Sequence, residues 1–267
     1  MHLLSHQPET AAAQPALKPV IILVHGAWHN PDCWYKVKLR LEAAGYEVYT
    51  PRLLTVVGGK PVSYSWRADV AVVHDVAIPL FQQGRQAVIV GHSYGGLVTT
   101  ASVEGQSVAD RQSRGLQGGF SAVVFLCAFL MTQRGSIIRA LAGKYRDWMI
   151  PPEPNDKDTP SSIKVARELA PFYNDLPQDE AEKWQGKLLD QSHRSFEEPI
   201  EFSANEIKIP MTYLLCEADK AVPIRDQELM TGAVPAVKTR RCTAGHSPFL
   251  SQPDLTADFI IEAARDS

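Results

Sequence analysis

Uninterrupted runs of apolar residues recur along the 267-residue chain, and most are followed by segments with apolar residues at helical spacing. The clearest runs cover residues 20–24, 87–90 and most of 121–129, and strands are also predicted over 46–53, 209–216 and 237–242, where polar residues interrupt the apolar ones. An apolar run without polar alternation is typical of a strand buried on both faces, as in a parallel sheet. Strands that alternate with helices favour a doubly wound, mostly parallel α/β sheet of about six strands.

Helices are predicted between these strands. Asn30 followed by Pro31 is typical of a helix start, and Gly45 is expected to end this first helix. Apolar spacing predicts another helix over 65–83, in which Pro79 should cause a kink or an early stop. Further helices are predicted after residue 96 and at 224–230 and 253–264, and a surface loop at 105–119.

The alternation breaks between residues 131 and 205, a stretch rich in charge and proline. Helices are predicted there at 163–170 and 178–192, without a strong strand. A helical insertion of this size between two core strands is typical of a cap over an active site; extra helices at the edge, with no lid role, are the alternative. The predicted organisation is a flexible arm (1–18), a core (19–130 and 206–267) and an inserted helical cap (131–205).

Composition narrows the possible functions. Hydrophobic residues make up 45% of the chain and charged residues 21%, as is ordinary for a soluble globular protein. The net charge of −3 gives no reason to expect nucleic acid or an anionic membrane as a partner. No apolar stretch approaches the roughly 18–20 residues of a membrane span, and the first residues are too polar for a signal peptide. We expect a cytoplasmic protein, with the oligomeric state open, a homodimer included.

Cysteine and histidine spacing gives no sign of a metal centre. The four cysteines are widely spaced, and Cys127 and Cys216 lie in predicted strands, where they should be small buried hydrophobic residues. The eight histidines are scattered, without the spacing of a zinc site. No metal is therefore predicted.

A serine stands where a predicted strand turns sharply into a helix, in the sequence G-H-S-Y-G-G at 91–96. In this context G-x-S-x-G is typical of a nucleophile turn, since the glycines let strand and helix approach closely. The free N–H groups of the helix start lie near the same hydroxyl. Ser93 is the candidate nucleophile.

A serine hydroxyl needs a base, normally a histidine oriented by a carboxylate. His246, in the loop after the last strand, is the candidate base, because the side chain of His92 should point away from Ser93 on a sharp turn. Asp219, three residues past a strand end, is the candidate acid. The order Ser93, Asp219, His246 is that of α/β-hydrolases. Alternatives are Glu217 or Asp226 as the acid and His25, His74 or His193 as the base.

The oxyanion of acyl transfer needs two preorganised donors. The backbone N–H groups of Tyr94 and Ala27 are the candidates, with Gly26 letting the first loop bend close. The candidate substrate-binding residues are Gly26, Trp28, Tyr94, Trp148 and Phe172.

Together these motifs resemble the α/β-hydrolase superfamily, most closely its compact branch of plant methylesterases and hydroxynitrile lyases. The matching segments are H-G-A-W at 25–28, G-H-S-Y-G-G at 91–96, D-K-A-V-P at 219–223 and G-H-S at 245–247. The resemblance implies a Ser93–His246–Asp219 triad, an acyl-enzyme intermediate and no cofactor.

Departures from particular branches narrow the chemistry. Hydroxynitrile lyases of this type have threonine and lysine where this chain has Gly26 and Ser247, which disfavours cyanohydrin cleavage. Haloalkane dehalogenases and most epoxide hydrolases have aspartate at the nucleophile position, so Ser93 argues against both activities. The sequence therefore predicts ester hydrolysis, and the aromatic residues of the predicted cap suggest a small to medium hydrophobic ester, lactone or thioester as the substrate. The alternatives are a receptor-like ligand-binding member with weak hydrolysis, and a biosynthetic lyase or cyclase with His246 as base.

Overall fold

The computed structural model describes residues 17–153 and 160–267, so that only Leu17 and Lys18 of the predicted arm lie within the described residues. The strands in this part of the chain are β1 Val20–Val24, β2 Val48–Tyr49, β3 Val56–Val57, β4 Gln86–His92, β5 Gly119–Leu126, β6 Met149–Ile150, β7 Ser162–Val165, β8 Asp190–Ser192, β9 Met211–Cys216 and β10 Val237–Cys242.

Helices occupy most connections between these strands. They are α1 Tyr35–Ala43, α2 Trp66–Gln82, α3 Gly95–Val103, α4 Val108–Gln112, α5 Ile137–Ala140, α6 Gln178–Gln185, α7 Arg194–Glu197, α8 Ile224–Gly232, α9 Pro248–Ser251 and α10 Pro253–Arg265. Short 3-10 helices cover Pro31–Trp34, Arg167–Leu169, Pro171–Tyr173 and Ala204–Glu206.

Six strands form one parallel sheet in the order β10-β9-β5-β4-β1-β2, as the apolar runs predict. Every residue of β1 and β5 is buried. Helices α2 and α3 pack against β1, β4 and β5, while α10 packs against β4 and β5 together with α1. The sheet thus lies between two helical layers, and the predicted doubly wound α/β fold is confirmed.

Several predicted boundaries are wrong. Pro79 does not stop α2, which continues to Gln82. The predicted strand at 46–53 is reduced to β2, and the predicted loop at 105–119 contains α4. β5 ends at Leu126 rather than 129, because the chain turns at Cys127, whose φ is 36°.

The inserted segment is not purely helical. The predicted helix at 163–170 is wrong: β7 lies there instead, paired antiparallel with β8 and β6 in a four-stranded sheet ordered β3-β8-β7-β6. The helix predicted over 178–192 ends at Gln185, and its last residues form β8. The division into core and cap stays a prediction. Among the described residues, none of the helices combines the length and apolar character needed to cross a bilayer.

Candidate active site

Ser93 occupies the tight turn between β4 and α3. Its φ of 52° lies in the left-handed region, which residues with a side chain adopt only when the surroundings hold them there. Its backbone N–H donates to the carbonyl oxygen of Leu126 at 3.3 Å, which ties the turn to the end of β5. The side chain is 7% exposed.

The glycines around this turn are required by close backbone approach. A Cβ on Gly95 would lie 2.5 Å from the carbonyl oxygen of Val24, and one on Gly96 would lie 2.6 Å from that of Phe129. A Cβ on Gly91 would meet the carbonyl oxygen of Gly95 at 2.8 Å. Larger residues would therefore push α3 away from the strand ends that surround Ser93.

His246 and Asp219 are joined by a buried hydrogen bond, 2.8 Å from Nδ1 to Oδ2. The other carboxylate oxygen accepts from the backbone N–H groups of Ala221 at 2.8 Å and Val222 at 2.9 Å. Because the carboxylate of Asp219 accepts the hydrogen bond, the proton shared with His246 lies on Nδ1. Nε2 is then the basic nitrogen of the ring.

The alternative acids and bases are engaged elsewhere. Glu217 pairs with Arg241 at 3.3 Å, and Asp226 pairs with Arg146 at 3.1 Å. His74 is hydrogen-bonded to the Ser102 carbonyl at 2.8 Å, and His193 to the Tyr145 hydroxyl at 2.7 Å.

Ser93 and His246 line one narrow cavity of about 300 Å³, including the part open to solvent, which we call the Ser93 cavity. Five of the predicted residues share its wall: Ala27, Trp28, Tyr94, Trp148 and Phe172. The remaining wall residues were not predicted: Phe129, Leu141, Met149, Phe196, Ala221 and Val222. The other two predicted residues, Asp219 and Gly26, do not line the cavity.

Asp219 and Gly26 instead support residues that line the Ser93 cavity or lie next to them. Asp219 holds His246, and Gly26 lies against His92 and Ser93, where a Cβ would fall 2.8 Å from Nδ1 of His92. In the described part of the chain, no hydrogen bond joins the Ser93 hydroxyl to His246. Such contacts are often long without substrate.

Aromatic rings make up much of the Ser93 cavity. Trp28 contacts Trp148, Phe172 and Phe196, with ring centroids 5.2, 5.8 and 5.5 Å away. The indole N–H of Trp28 donates to the carbonyl oxygen of Ile163 at 2.8 Å, which fixes the ring against β7. The cavity therefore combines a polar floor with rigid apolar walls. Nothing in the local sequence around Phe196 indicated its place there.

Two backbone N–H groups on this wall lack protein partners. Within the described residues, neither Ala27 nor Tyr94 donates its N–H to another protein group. The carbonyl of each of these peptide groups is fully engaged. The Gly26 carbonyl accepts from His25 Nδ1 at 2.9 Å, and the Ser93 carbonyl accepts from the N–H groups of Gly96 at 2.9 Å and Phe129 at 3.0 Å.

The family model described as the alpha/beta hydrolase family matches residues 21–259. The chain belongs to the alpha/beta hydrolase family. A curated relative, alpha/beta hydrolase nvfD of Aspergillus novofumigatus, is 28% identical and covers 94% of this chain and 98% of its own length. Methylesterase 17 of Arabidopsis thaliana is 22% identical, covering 97% and 96%. The predicted resemblance to the methylesterase-like branch is confirmed.

A solved structure shows the same fold. The pyrethroid hydrolase of Sphingobium faniae superimposes with a TM-score of 0.73 at 22% identity, covering 92% of this chain and 97% of that one. This comparison shows the alpha/beta hydrolase fold, and the family match supports the general class of hydrolase.

Three buried histidines surround the catalytic candidates of this hydrolase. Burial lowers the pKa of His25 to about 4 and that of His29 to about 3, and holds the pKa of His92 well below its usual range. Each is therefore neutral near pH 7 and donates one hydrogen bond to a carbonyl oxygen. Besides the bond from His25 to Gly26, Nδ1 of His29 donates to Ala27 at 2.7 Å and Nε2 of His92 donates to His246 at 2.8 Å. These histidines brace the loops of Ala27 and His246.

The inserted segment reaches both loops that carry the acid and the base. Asn174 donates from Nδ2 to the carbonyl oxygen of Ala218 at 3.1 Å. The carboxylate of Asp175 accepts the N–H of Gly245 at 2.6 Å. These contacts fix the neighbours of Asp219 and His246, and no local sequence signal indicated them.

Tyr94 is anchored by a buried carboxyl group that the sequence did not single out. Its hydroxyl donates to Asp69 at 2.8 Å, and Asp69 also accepts from the N–H of Thr55 at 3.0 Å and its hydroxyl at 2.6 Å. Burial raises the pKa of Asp69 to about 6. The ring of Tyr94 stacks on Phe196 with 5.7 Å between centroids, so this network holds one wall of the Ser93 cavity.

One group among the described residues has the spacing of metal ligands: His92, Cys127 and His246, whose ligand atoms lie within 4.8 Å of one another. His246 is bonded to Asp219, and both His92 and Cys127 donate to the His246 carbonyl. Burial raises the pKa of Cys127 to about 12, which disfavours the thiolate that a metal would need. We interpret the group as a support for the histidine loop.

Proposed function

We propose that this hydrolase cleaves carboxylic esters through an acyl-enzyme intermediate on Ser93. One observation carries the proposal: His246 is hydrogen-bonded to Asp219 at 2.8 Å and lines the same cavity as Ser93. A histidine oriented by a carboxylate beside a serine is the arrangement that nucleophilic acyl transfer needs.

In the first half of the reaction, Ser93 attacks the acyl carbon while Nε2 of His246 takes the hydroxyl proton. Asp219 stabilises the imidazolium that forms and keeps the ring in the required tautomer. The tetrahedral intermediate collapses, and His246 gives its proton to the leaving alkoxide. The alcohol departs, and the acyl group stays on Ser93.

The oxyanion of each tetrahedral intermediate needs donors fixed before the reaction. The N–H groups of Ala27 and Tyr94 suit this role, because both residues line the Ser93 cavity and neither N–H is used within the described residues. Removing one such donor costs about 100- to 1000-fold in kcat in other hydrolases.

In the second half, His246 takes a proton from water, which attacks the acyl carbon. The acid leaves, and Ser93 recovers its proton. The aromatic walls favour a hydrophobic acyl or alcohol group, and we include lactones and thioesters in the proposed class. The names of the relatives, methylesterase and pyrethroid hydrolase, support an ester as the substrate.

A fluorophosphonate probe tests the nucleophile. We expect native protein to be labelled, with the mass increase on the peptide that contains Ser93, and the Ser93→Ala variant to remain unlabelled. Ser121→Ala is a matched control, because Ser121 is also 7% exposed but does not line the Ser93 cavity. Equal labelling of wild type and Ser93→Ala would contradict the proposal.

Turnover separates the proposal from its alternatives. We expect steady release of p-nitrophenol from p-nitrophenyl butyrate, lost in both Ser93→Ala and His246→Ala. A receptor-like protein would bind ester without sustained turnover. A lyase or cyclase that needs only His246 would keep its activity in Ser93→Ala.

A further inference from the structure

A larger cavity adjoins the Ser93 cavity, and we call it the outer cavity. It measures about 1490 Å³, including the part open to solvent. Its walls come from the chain that follows β5, from α5 and from α8. Four buried residues line both cavities: Phe129, Leu141, Ala221 and Val222. The two spaces therefore adjoin at these four side chains.

The outer cavity carries an excess of positive charge. It contains three arginines and one acidic residue, Asp226. Arg146 pairs with Asp226 at 3.1 Å, and Arg134 pairs with Glu206 at 3.3 Å. Within the described residues, the guanidinium of Arg139 has neither an ion pair nor a hydrogen bond. Among the described residues, Arg139 is therefore the one arginine of this cavity without a charged partner.

The position of Arg139 is fixed by its helix. The Ser136 hydroxyl oxygen accepts the backbone N–H of Arg139 at 3.3 Å and so caps α5, and Ile137 anchors the helix in the core. Gly135 leaves room for the arginine stem, since a Cβ there would lie 3.2 Å from its Cδ. The stem of Arg139 therefore lies beside Gly135 at the wall of the outer cavity, and the residue is exposed.

The outer cavity also has apolar walls. Leu229, Met230 and Ala233 of α8 line the outer cavity beside Leu130 and Met131, and Leu229 is 64% exposed at its rim. A wall of this kind accommodates a hydrocarbon chain, and a single unpaired guanidinium matches a singly charged carboxylate.

We propose that the outer cavity binds the remote end of an ester whose acyl chain carries a carboxylate, with Arg139 as its partner. The inference rests on the function proposed for Ser93 and narrows its substrate class. The reacting carbonyl lies at Ser93, the hydrocarbon chain passes Phe129 and Leu141, and the carboxylate reaches Arg139. Arg139 is then a specificity-determining residue that does not touch the reacting atoms.

The test uses p-nitrophenyl monoesters of linear dicarboxylic acids from adipic to dodecanedioic acid. Each is compared with the p-nitrophenyl ester of the monocarboxylic acid of equal chain length. We expect wild type to prefer the acid-bearing ester by about two- to fivefold in kcat/KM at one or two chain lengths, as an exposed ion pair provides. The preference should fall as sodium chloride is added.

Three variants locate the effect. In Arg139→Gln the preference should disappear while kcat/KM for the neutral esters is retained, and Arg139→Lys should keep part of the preference. Lys144→Gln removes the same charge from an exposed residue outside the cavity and should behave like wild type. Because Arg139 is exposed, none of these changes should shift the thermal unfolding midpoint.

Failure of this inference is distinguishable from failure of the proposed function. Equal kcat/KM for charged and neutral esters at every length, or a preference that survives in Arg139→Gln, would overturn the inference while Ser93-dependent hydrolysis stands. Hydrolysis of the neutral esters that persists in Ser93→Ala would instead overturn the proposed function.

Discussion

Nδ1 of His25 donates a hydrogen bond to the carbonyl oxygen of Gly26 at 2.9 Å. The same peptide group carries the N–H of Ala27, one of the two proposed oxyanion donors. A hydrogen bond to a carbonyl polarises its peptide and strengthens the N–H as a donor. Burial lowers the pKa of His25 to about 4, so its ring is a neutral donor at the pH of the reaction. His25 is therefore a positioning residue.

Replacing His25 with phenylalanine should lower kcat by about tenfold with little change in KM, because the oxyanion forms only after substrate is bound. The affinity for a boronic acid that mimics the tetrahedral intermediate should fall in parallel with kcat/KM. His74→Phe, in α2 and outside the Ser93 cavity, serves as the control. An unchanged boronate affinity alongside a reduced kcat would indicate a purely structural role for His25.

Asp219→Asn should reduce kcat by about 10⁴-fold, because an amide donates to Nδ1 and turns His246 into the wrong tautomer. Labelling by the fluorophosphonate should slow in proportion. Asp75→Asn, an exposed position on α2, makes the same chemical change away from the site and should match wild type. A kcat of Asp219→Asn within about tenfold of wild type would exclude Asp219 as the acid.

Gly95→Ala should destabilise the fold by about 1–3 kcal/mol and abolish esterase activity, since its Cβ would lie 2.5 Å from the Val24 carbonyl oxygen. Gly232→Ala is the contrasting control, because a Cβ at the end of α8 meets no atom within 4 Å. That variant should be neutral or up to about 1 kcal/mol more stable. Urea unfolding of the two variants measures the difference directly.

Stability should fall as the pH falls below about 6.5. The unfolded chain protonates its histidines there, with an ordinary pKa of 6.5, whereas burial lowers the pKa of folded His25 to about 4 and of folded His29 to about 3. The contribution of these two histidines to the free energy of unfolding is complete above pH 6.5. It is lost as the pH falls towards their folded-state pKa values, by about 1.4 kcal/mol per pH unit for each extra proton that the unfolded chain binds.

Asp69 acts in the opposite direction over part of this range. Burial raises its pKa from 3.8 in the unfolded chain to about 6, so between these values the folded state binds the extra proton and gains stability as the pH falls. Asp69→Asn should therefore steepen the acid loss of stability by about one proton between pH 6 and 4. Urea midpoints measured from pH 7.5 to 4.5 check this, and equal slopes for both proteins would contradict it.

The sequence indicated the central sheet and the placement of Ser93 because both depend on local signals. Apolar runs such as residues 87–90 can be buried only in the middle of a sheet, and a serine flanked by Gly91 and Gly95 suits a turn that excludes side chains. The placement of the loops of Asp219 and His246 near Ser93 could be predicted as well, because the carboxyl ends of parallel strands meet at one edge of the sheet.

The inserted segment was less predictable, because its structure depends on distant partners. Residues 163–170 have helical spacing, yet Ile163 pairs with Gln191 in an antiparallel sheet, so tertiary pairing overrides local propensity. The role of Asp69 could not be predicted from the sequence either, because its partners Thr55 and Tyr94 come together only in the folded chain.

The contacts of Asn174 and Asp175 with Ala218 and Gly245 join the segment around Phe172 to the loops of the proposed acid and base. An ester that displaces this segment to reach Ser93 should also loosen those loops. We therefore expect proton transfer to His246 to wait until the segment has settled over the bound molecule. Bulky substrates would accordingly turn over at the pace of this resettling, and the hydrolase would be a slower catalyst for them even where binding is tight.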